Sequence, residues 1–135
     1  SVIPIVNEND CISTAEIEGF CFGDNDTLSA TVAQLIEADL LIILTDIEGL
    51  YTENPCLNPQ AKLLHIVENI DDSIIRMAGE AGSEFGTGGM ATKVIAAQIA
   101  TGAGVHTLVA KGDKIQNLYD IIEGQNIGTW FKIKK

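Results

Sequence analysis

Residues 86–93 read GTGGMATK, a glycine-rich turn that runs into an alanine-rich stretch. Glycines let backbone N–H groups approach an anion closely, and a helix N-terminus adds unpaired donors and a partial positive charge. Lys93 falls in the first turn of the helix this pattern predicts, where the helix dipole disfavours a cation, so an anion is expected beside it. The spacing is neither GxxxxGK[ST] nor GxGxxG. From these residues alone the turn is either a surface turn or a phosphate cradle.

Two more polar clusters accompany it. GDND, residues 23–26, precedes an amphipathic stretch, and NEND, residues 7–10, follows an apolar one. Asp26 could simply cap a helix starting near Thr27, with Asp24 and Asn25 shaping the turn. The same positions could equally face a ligand, because helix entrances open onto the carboxyl edge of a parallel sheet. Acids and amides in two such loops suit a polar, ammonium-bearing substrate. TDIEGLY, residues 45–51, places Thr45 and Asp46 at the end of an apolar run, as a plain turn or as a third contribution to that edge.

These groups need a frame to converge. Residues 1–6 (SVIPIV) and 40–45 (LLIILT) read as strands, the second β-branched, unbroken and buried on both faces. Leu28, Val32, Leu35 and Ile36 recur at helical spacing between them, completing a βαβ unit. Residues 46–62 carry Gly49, Pro55, Pro59 and several asparagines, which predict a long irregular loop. A short strand is expected within 63–67, a helix capped near Asp71, a helix over 90–101, a strand over 105–110, a helix over 117–123 and a strand over 129–133. Alternating elements of this kind predict an α/β fold, a three-layer α/β/α sandwich around a mainly parallel sheet.

Composition narrows the possible partners. The 135 residues hold 8 Lys+Arg against 19 Asp+Glu, a formal net charge of -11, and mean hydropathy is +0.21. A disordered chain would be less apolar, and a nucleic-acid surface would cluster basic residues. Any phosphate site must therefore be local. Cys11, Cys21 and Cys56 show neither a disulfide framework nor zinc-ligand spacing and read as buried or idle thiols of a reducing cytoplasm. The longest uncharged apolar stretch, 40–44, falls far short of the ~20 residues of a membrane span. A cytoplasmic protein without nucleic-acid or membrane partners is expected.

In order and near-family spacing, PIVNEND, FGDNDTLSA, ADLLIILTDIEGLY and GTGGMATK resemble the C-terminal half of the amino-acid kinase domain of the glutamate 5-kinases (γ-glutamyl kinases). The resemblance covers nearly the whole chain. It implies ATP-dependent phosphorylation of the side-chain carboxylate of L-glutamate to γ-glutamyl phosphate, the first step of proline synthesis, with Mg²⁺ accompanying ATP. Carried over by position, Asp10 and Asn25 hold glutamate and Asp26 organises the catalytic lysines. Thr45 and Asp46 contact the nucleotide. Thr87, Gly88, Gly89, Met90, Ala91, Thr92 and Lys93 line its phosphates, and Lys93 also stabilises transferred charge. The resemblance further implies proline as feedback inhibitor and a homo-oligomer. A chain opening directly on SVIPIV, without methionine, reads as the nucleotide-binding part of a kinase domain whose N-terminal half is absent, a fragment expected to be inactive alone. Acetylglutamate kinase and aspartokinase are neighbouring readings, disfavoured by the pairing of NEND with GDND. A non-catalytic glutamate- or proline-binding regulatory module is a third, opposed by the presence of Asp26 and Lys93.

Overall fold

The computed structural model describes residues 3, 5, 6, 25–80 and 89–133. Its elements in chain order are α1 (Asn25–Leu35), β1 (Leu40–Thr45), β2 (Ile66–Val67), α2 (Asp72–Glu80), α3 (Met90–Gly102), β3 (His106–Lys111), α4 (Gln116–Ile122) and β4 (Thr129–Phe131). The four strands form one sheet in the order β1-β3-β4-β2. β1 runs parallel to β3, from Leu40 opposite His106 to Thr45 opposite Lys111. β2 runs parallel to β4, and β4 runs antiparallel to β3. The sheet is thus mixed but mainly parallel.

Side-chain alternation along the strands divides the interior in two. Leu41, Ile43, Val109 and Phe131 face a layer built by α1, α2 and α3, where Ala30, Ala33, Ala78, Val94, Ala97 and Ala100 are buried. Leu40, Ile42, Leu108, Ala110 and Trp130 face Ile121 of α4 on the other side. Helices on both faces make the expected three layers.

Several expectations from sequence need correction. β1 is not the most deeply buried strand: only Ile43 of its six residues is buried, whereas four of six are in β3. β1 lies at one end of the sheet among the described residues, while β3 is flanked on both sides, and strand position outweighs apolar content. Of residues 1–6, expected to form a first strand, Ile3, Ile5 and Val6 are exposed and in no strand, and the other three lie outside the described residues. The helix expected around Leu28, Val32 and Leu35 is present as α1, but its apolar positions are not its buried ones. Leu35 and Ile36 are exposed, and the buried residues are Ala30 and Ala33, whose small side chains suit close packing on alanine-rich α3. Leu28, Val32 and Ile36 instead line an apolar groove of about 480 Å³ beside β1. Finally, α1 includes Asn25, so Asp26 lies inside the helix and not at a cap position.

Other elements match closely. Asp71 caps α2, its Oδ1 accepting from the backbone N–H groups of Ser73 (2.9 Å) and Ile74 (3.1 Å). The Ser73 hydroxyl, the Ile74 N–H and, less strongly, the Ser73 N–H and the charge of Arg76 lower the Asp71 pKa against an opposing effect of burial. The strand expected within 63–67 shortens to Ile66–Val67, and Leu63 forms an isolated bridge with Tyr51. That bridge, with Thr52 N donating to Lys62 O and Leu64 N to Leu50 O, closes the irregular 46–62 segment at its base.

Candidate functional site

Two helix N-termini meet at one edge of the sheet. α3 is 13 residues long and leads through a tight turn, with Val105 N donating to Ala100 O at 2.9 Å, directly into β3. A helix of that length and a six-residue strand each span about 20 Å, so the start of α3 returns to the carboxyl end of β3. By the same reversal α1, which feeds β1, starts near the carboxyl end of β1. The two helices pack along each other, so their first turns come side by side.

The contact there is ionic. Lys93 Nζ lies 3.0 Å from Asp26 Oδ2, with side chains 10% and 15% exposed. Thr92 Oγ1 lies 2.9 Å from the same carboxylate oxygen. Each charge suits or offsets its helix: Asp26 complements the positive end of α1, while Lys93 sits at the positive end of α3 and finds its counter-charge across the interface. The anion that the position of Lys93 called for is, in this structure, Asp26. Gly89 precedes α3 in extended conformation (φ -69, ψ -171), and among the described residues no side chain caps the helix. A glycine at the cap leaves the first backbone donors open to approach by an anion.

The remaining sequence candidates are placed as follows. Asn25 is adjacent to Asp26 in the first turn of α1 and exposed. Met90 is buried at the start of α3 and Ala91 beside it is exposed. Thr45 and Asp46 end β1 at the same carboxyl edge, Thr45 Oγ1 donating to Asp46 Oδ1 at 3.1 Å. Asp10, Thr87 and Gly88 lie outside the described residues, as do Cys11 and Cys21; Cys56 is exposed in the 46–62 loop.

Sequence reasoning missed a cleft of about 490 Å³ at this edge, lined by Glu48, His65, Lys111, Asp113, Lys114 and Asn117 among others. Lys111 faces Asp113 at 3.4 Å, and Asn117 Nδ2 donates to Lys111 O at 2.8 Å. The available signal was AKGDK, a run of charges immediately after an apolar strand. Nearby, the Tyr51 hydroxyl donates to Glu48 Oε2, and that bond, with burial and the Glu48 charge, raises the phenol pKa above its ordinary value.

No group of three or more His, Cys, Asp or Glu among the described residues is arranged to hold a metal ion. Nor is any described helix long and apolar enough to cross a membrane.

An open α/β sheet with a lysine–aspartate pair and a glycine-led helix at its carboxyl edge is a setting in which anionic ligands bind. The sequence model of the amino acid kinase family matches residues 1–111, and the chain belongs to that family. Among individual proteins, it is 52% identical over 134 residues to the glutamate 5-kinase of Clostridium tetani, covering 99% of this chain and 49% of that one. It is 49% identical over 130 residues to the glutamate 5-kinase of Haemophilus influenzae, covering 96% and 34%. The chain thus spans half or less of the length of these relatives. Among solved structures, a carbamate kinase from Giardia lamblia bound to AMP-PNP superposes with a TM-score of 0.60 at 26% identity, over 83% of this chain and 32% of that one. Uridylate kinase from Archaeoglobus fulgidus gives 0.54 at 20% identity, over 78% and 45%, a likeness of fold.

Proposed function

We propose that this chain carries the nucleotide-binding part of a glutamate 5-kinase, a cytoplasmic enzyme that transfers the γ-phosphoryl group of ATP to the side-chain carboxylate of L-glutamate. A carboxylate oxygen of glutamate bonds to the γ-phosphorus as the bond from that phosphorus to the bridging oxygen breaks. ADP leaves and γ-glutamyl phosphate remains. The observation that carries the reading is the Asp26–Lys93 pair at two adjoining helix N-termini. It is joined by the similarity to glutamate 5-kinases over nearly the whole chain.

Phosphoryl transfer asks a protein chiefly for positioning and charge stabilisation. Lys93 supplies a cation at the place where charge develops, and Asp26 holds it there. The backbone of residues 87–93 lines the phosphates, Thr45 and Asp46 contact the nucleotide, and Asp10 and Asn25 hold glutamate. Mg²⁺ fits this arrangement as an ion bound mainly by ATP phosphates and water, since Mg²⁺ commonly needs few protein ligands. It would neutralise phosphate charge beside a protein of net charge -11. The other half of the kinase domain, as a separate contribution to the same site, proline as feedback inhibitor and assembly into a homo-oligomer complete the proposal on the strength of the resemblance.

The test is glutamate-dependent ADP release by the full-length gene product, with hydroxylamine trapping the acyl phosphate. Glutamate-dependent hydroxamate formation supports the reading. ADP release that depends instead on N-acetylglutamate or aspartate replaces it with a neighbouring kinase, and glutamate binding without turnover replaces it with a regulatory module.

A further inference from the structure

The Thr92 hydroxyl is already engaged within the protein. It lies 2.9 Å from Asp26 Oδ2 and 2.8 Å from Gly89 O. A threonine hydroxyl has one proton and donates to one of these at a time. The Gly89 contact is a local bond of the kind any threonine near a helix start can form. The Asp26 contact differs: it joins α3 to α1 across 66 residues and ends on the same oxygen that accepts Lys93 Nζ. One carboxylate oxygen therefore has two donors from consecutive residues of α3.

We propose that Thr92 is a positioning residue that fixes the Asp26 carboxylate, and through it Lys93, during phosphoryl transfer. The inference rests on the reading of Asp26 and Lys93 as the working pair of a kinase. A lysine that turns toward developing phosphate charge gives up part of its interaction with Asp26. The Thr92 hydroxyl then keeps Oδ2 hydrogen-bonded and the carboxylate oriented, so Lys93 moves against a fixed counter-charge. This role differs from direct phosphate binding by the Thr92 side chain, which would act on ATP affinity.

Steady-state kinetics on the full-length product decide between them, using Thr92→Val, which keeps the shape without the donor, Thr92→Ser, which keeps the donor, Asp26→Asn, and the Asp26→Asn/Thr92→Val double variant. Thr92→Val should lower kcat about ten- to a hundredfold, the scale of one hydrogen bond to a charged group, with KM for ATP and glutamate within about twofold of the parent. Thr92→Ser should retain kcat within about threefold. Adding Thr92→Val to Asp26→Asn should cost little more, because both changes disable one interaction. If Thr92→Val fails to fold, Thr92→Ala carries the same expectations. Unchanged kcat, a loss expressed in KM for ATP, failure of Thr92→Ser to retain activity, or full additivity with Asp26→Asn each overturns the proposal while leaving the kinase reading intact. Normal turnover by Asp26→Asn overturns both together.

Discussion

Asp26 and Lys93 stand 67 residues apart in sequence and 3.0 Å apart in space, each in the first turn of its own helix. A lysine at that end of a helix is locally unfavourable, and α1 brings a carboxylate that offsets it. If the pair serves phosphoryl transfer, Lys93→Ala should lower kcat by ~10²-fold or more while raising KM for glutamate far less, as when a donor to transition-state charge is removed. ADP release by the full-length product measures this. Near-normal turnover would leave the pair a purely structural link between α1 and α3.

Substrate recognition should separate from nucleotide binding. Asn25→Ala and Asp10→Ala are expected to weaken glutamate binding with little change for ATP, because the resemblance assigns these positions to the amino acid and residues 87–93 to the nucleotide phosphates. Calorimetric titration with each ligand checks this. Equal damage to both affinities would mean that these residues support the fold.

The turn into β4 should tolerate no side chain at Gly128. Its φ is +73, and a Cβ there would run into Val109 O and lie 2.9 Å from Ala110 Cβ. Gly128→Ala combines left-handed strain with overpacking against β3 and is expected to cost about 2–4 kcal/mol. Thermal unfolding of the full-length product should show a clearly lower Tm, and an unchanged Tm would mean that the turn can shift away from β3.

Acid should weaken α2 through its cap. Hydrogen bonds to Ser73 and Ile74 hold the Asp71 carboxyl below its ordinary value of 3.8. A depressed native pKa means stabilisation present in full above the ordinary value and lost as pH falls through the lower native one. Between pH 5 and 3, the fall in Tm should be steeper for the parent than for Asp71→Asn, which can still cap but does not titrate. Parallel curves would show that the cap contributes nothing dependent on charge.

Much of the frame was legible because it rests on local rules. The glycine-led start of α3, the Asp71 cap and the strand-helix alternation all announce themselves within a few residues. What misled was context beyond the window. LLIILT is as apolar as a central strand, yet its burial depends on which strands flank it, and that is a property of topology. Leu28, Val32, Leu35 and Ile36 have the spacing of a core stripe, but α1 meets α3 through Ala30 and Ala33, because small residues allow closer packing. Asp26 looked like a cap because its type and place fit one. Its actual contact comes from a helix 64 residues further on, which no local pattern encodes.

The loop after β1 is also tied to a distant part of the chain. Leu50 N donates to Thr129 Oγ1 at 2.8 Å, and a Cβ on Gly49 would come within 2.5 Å of that hydroxyl. Thr129 lies beyond residues 1–111, where the family's sequence model matches. Positions 49, 50 and 129 therefore form one packing unit. A recombinant that takes residues 46–64 from one relative and β4 from another keeps its geometry only if a hydroxyl at 129 still faces a glycine at 49. Serine at 129 preserves the acceptor, whereas valine leaves a buried N–H without one. The segment after β1 and the last strand of the sheet are thus coupled in the substitutions each can accept.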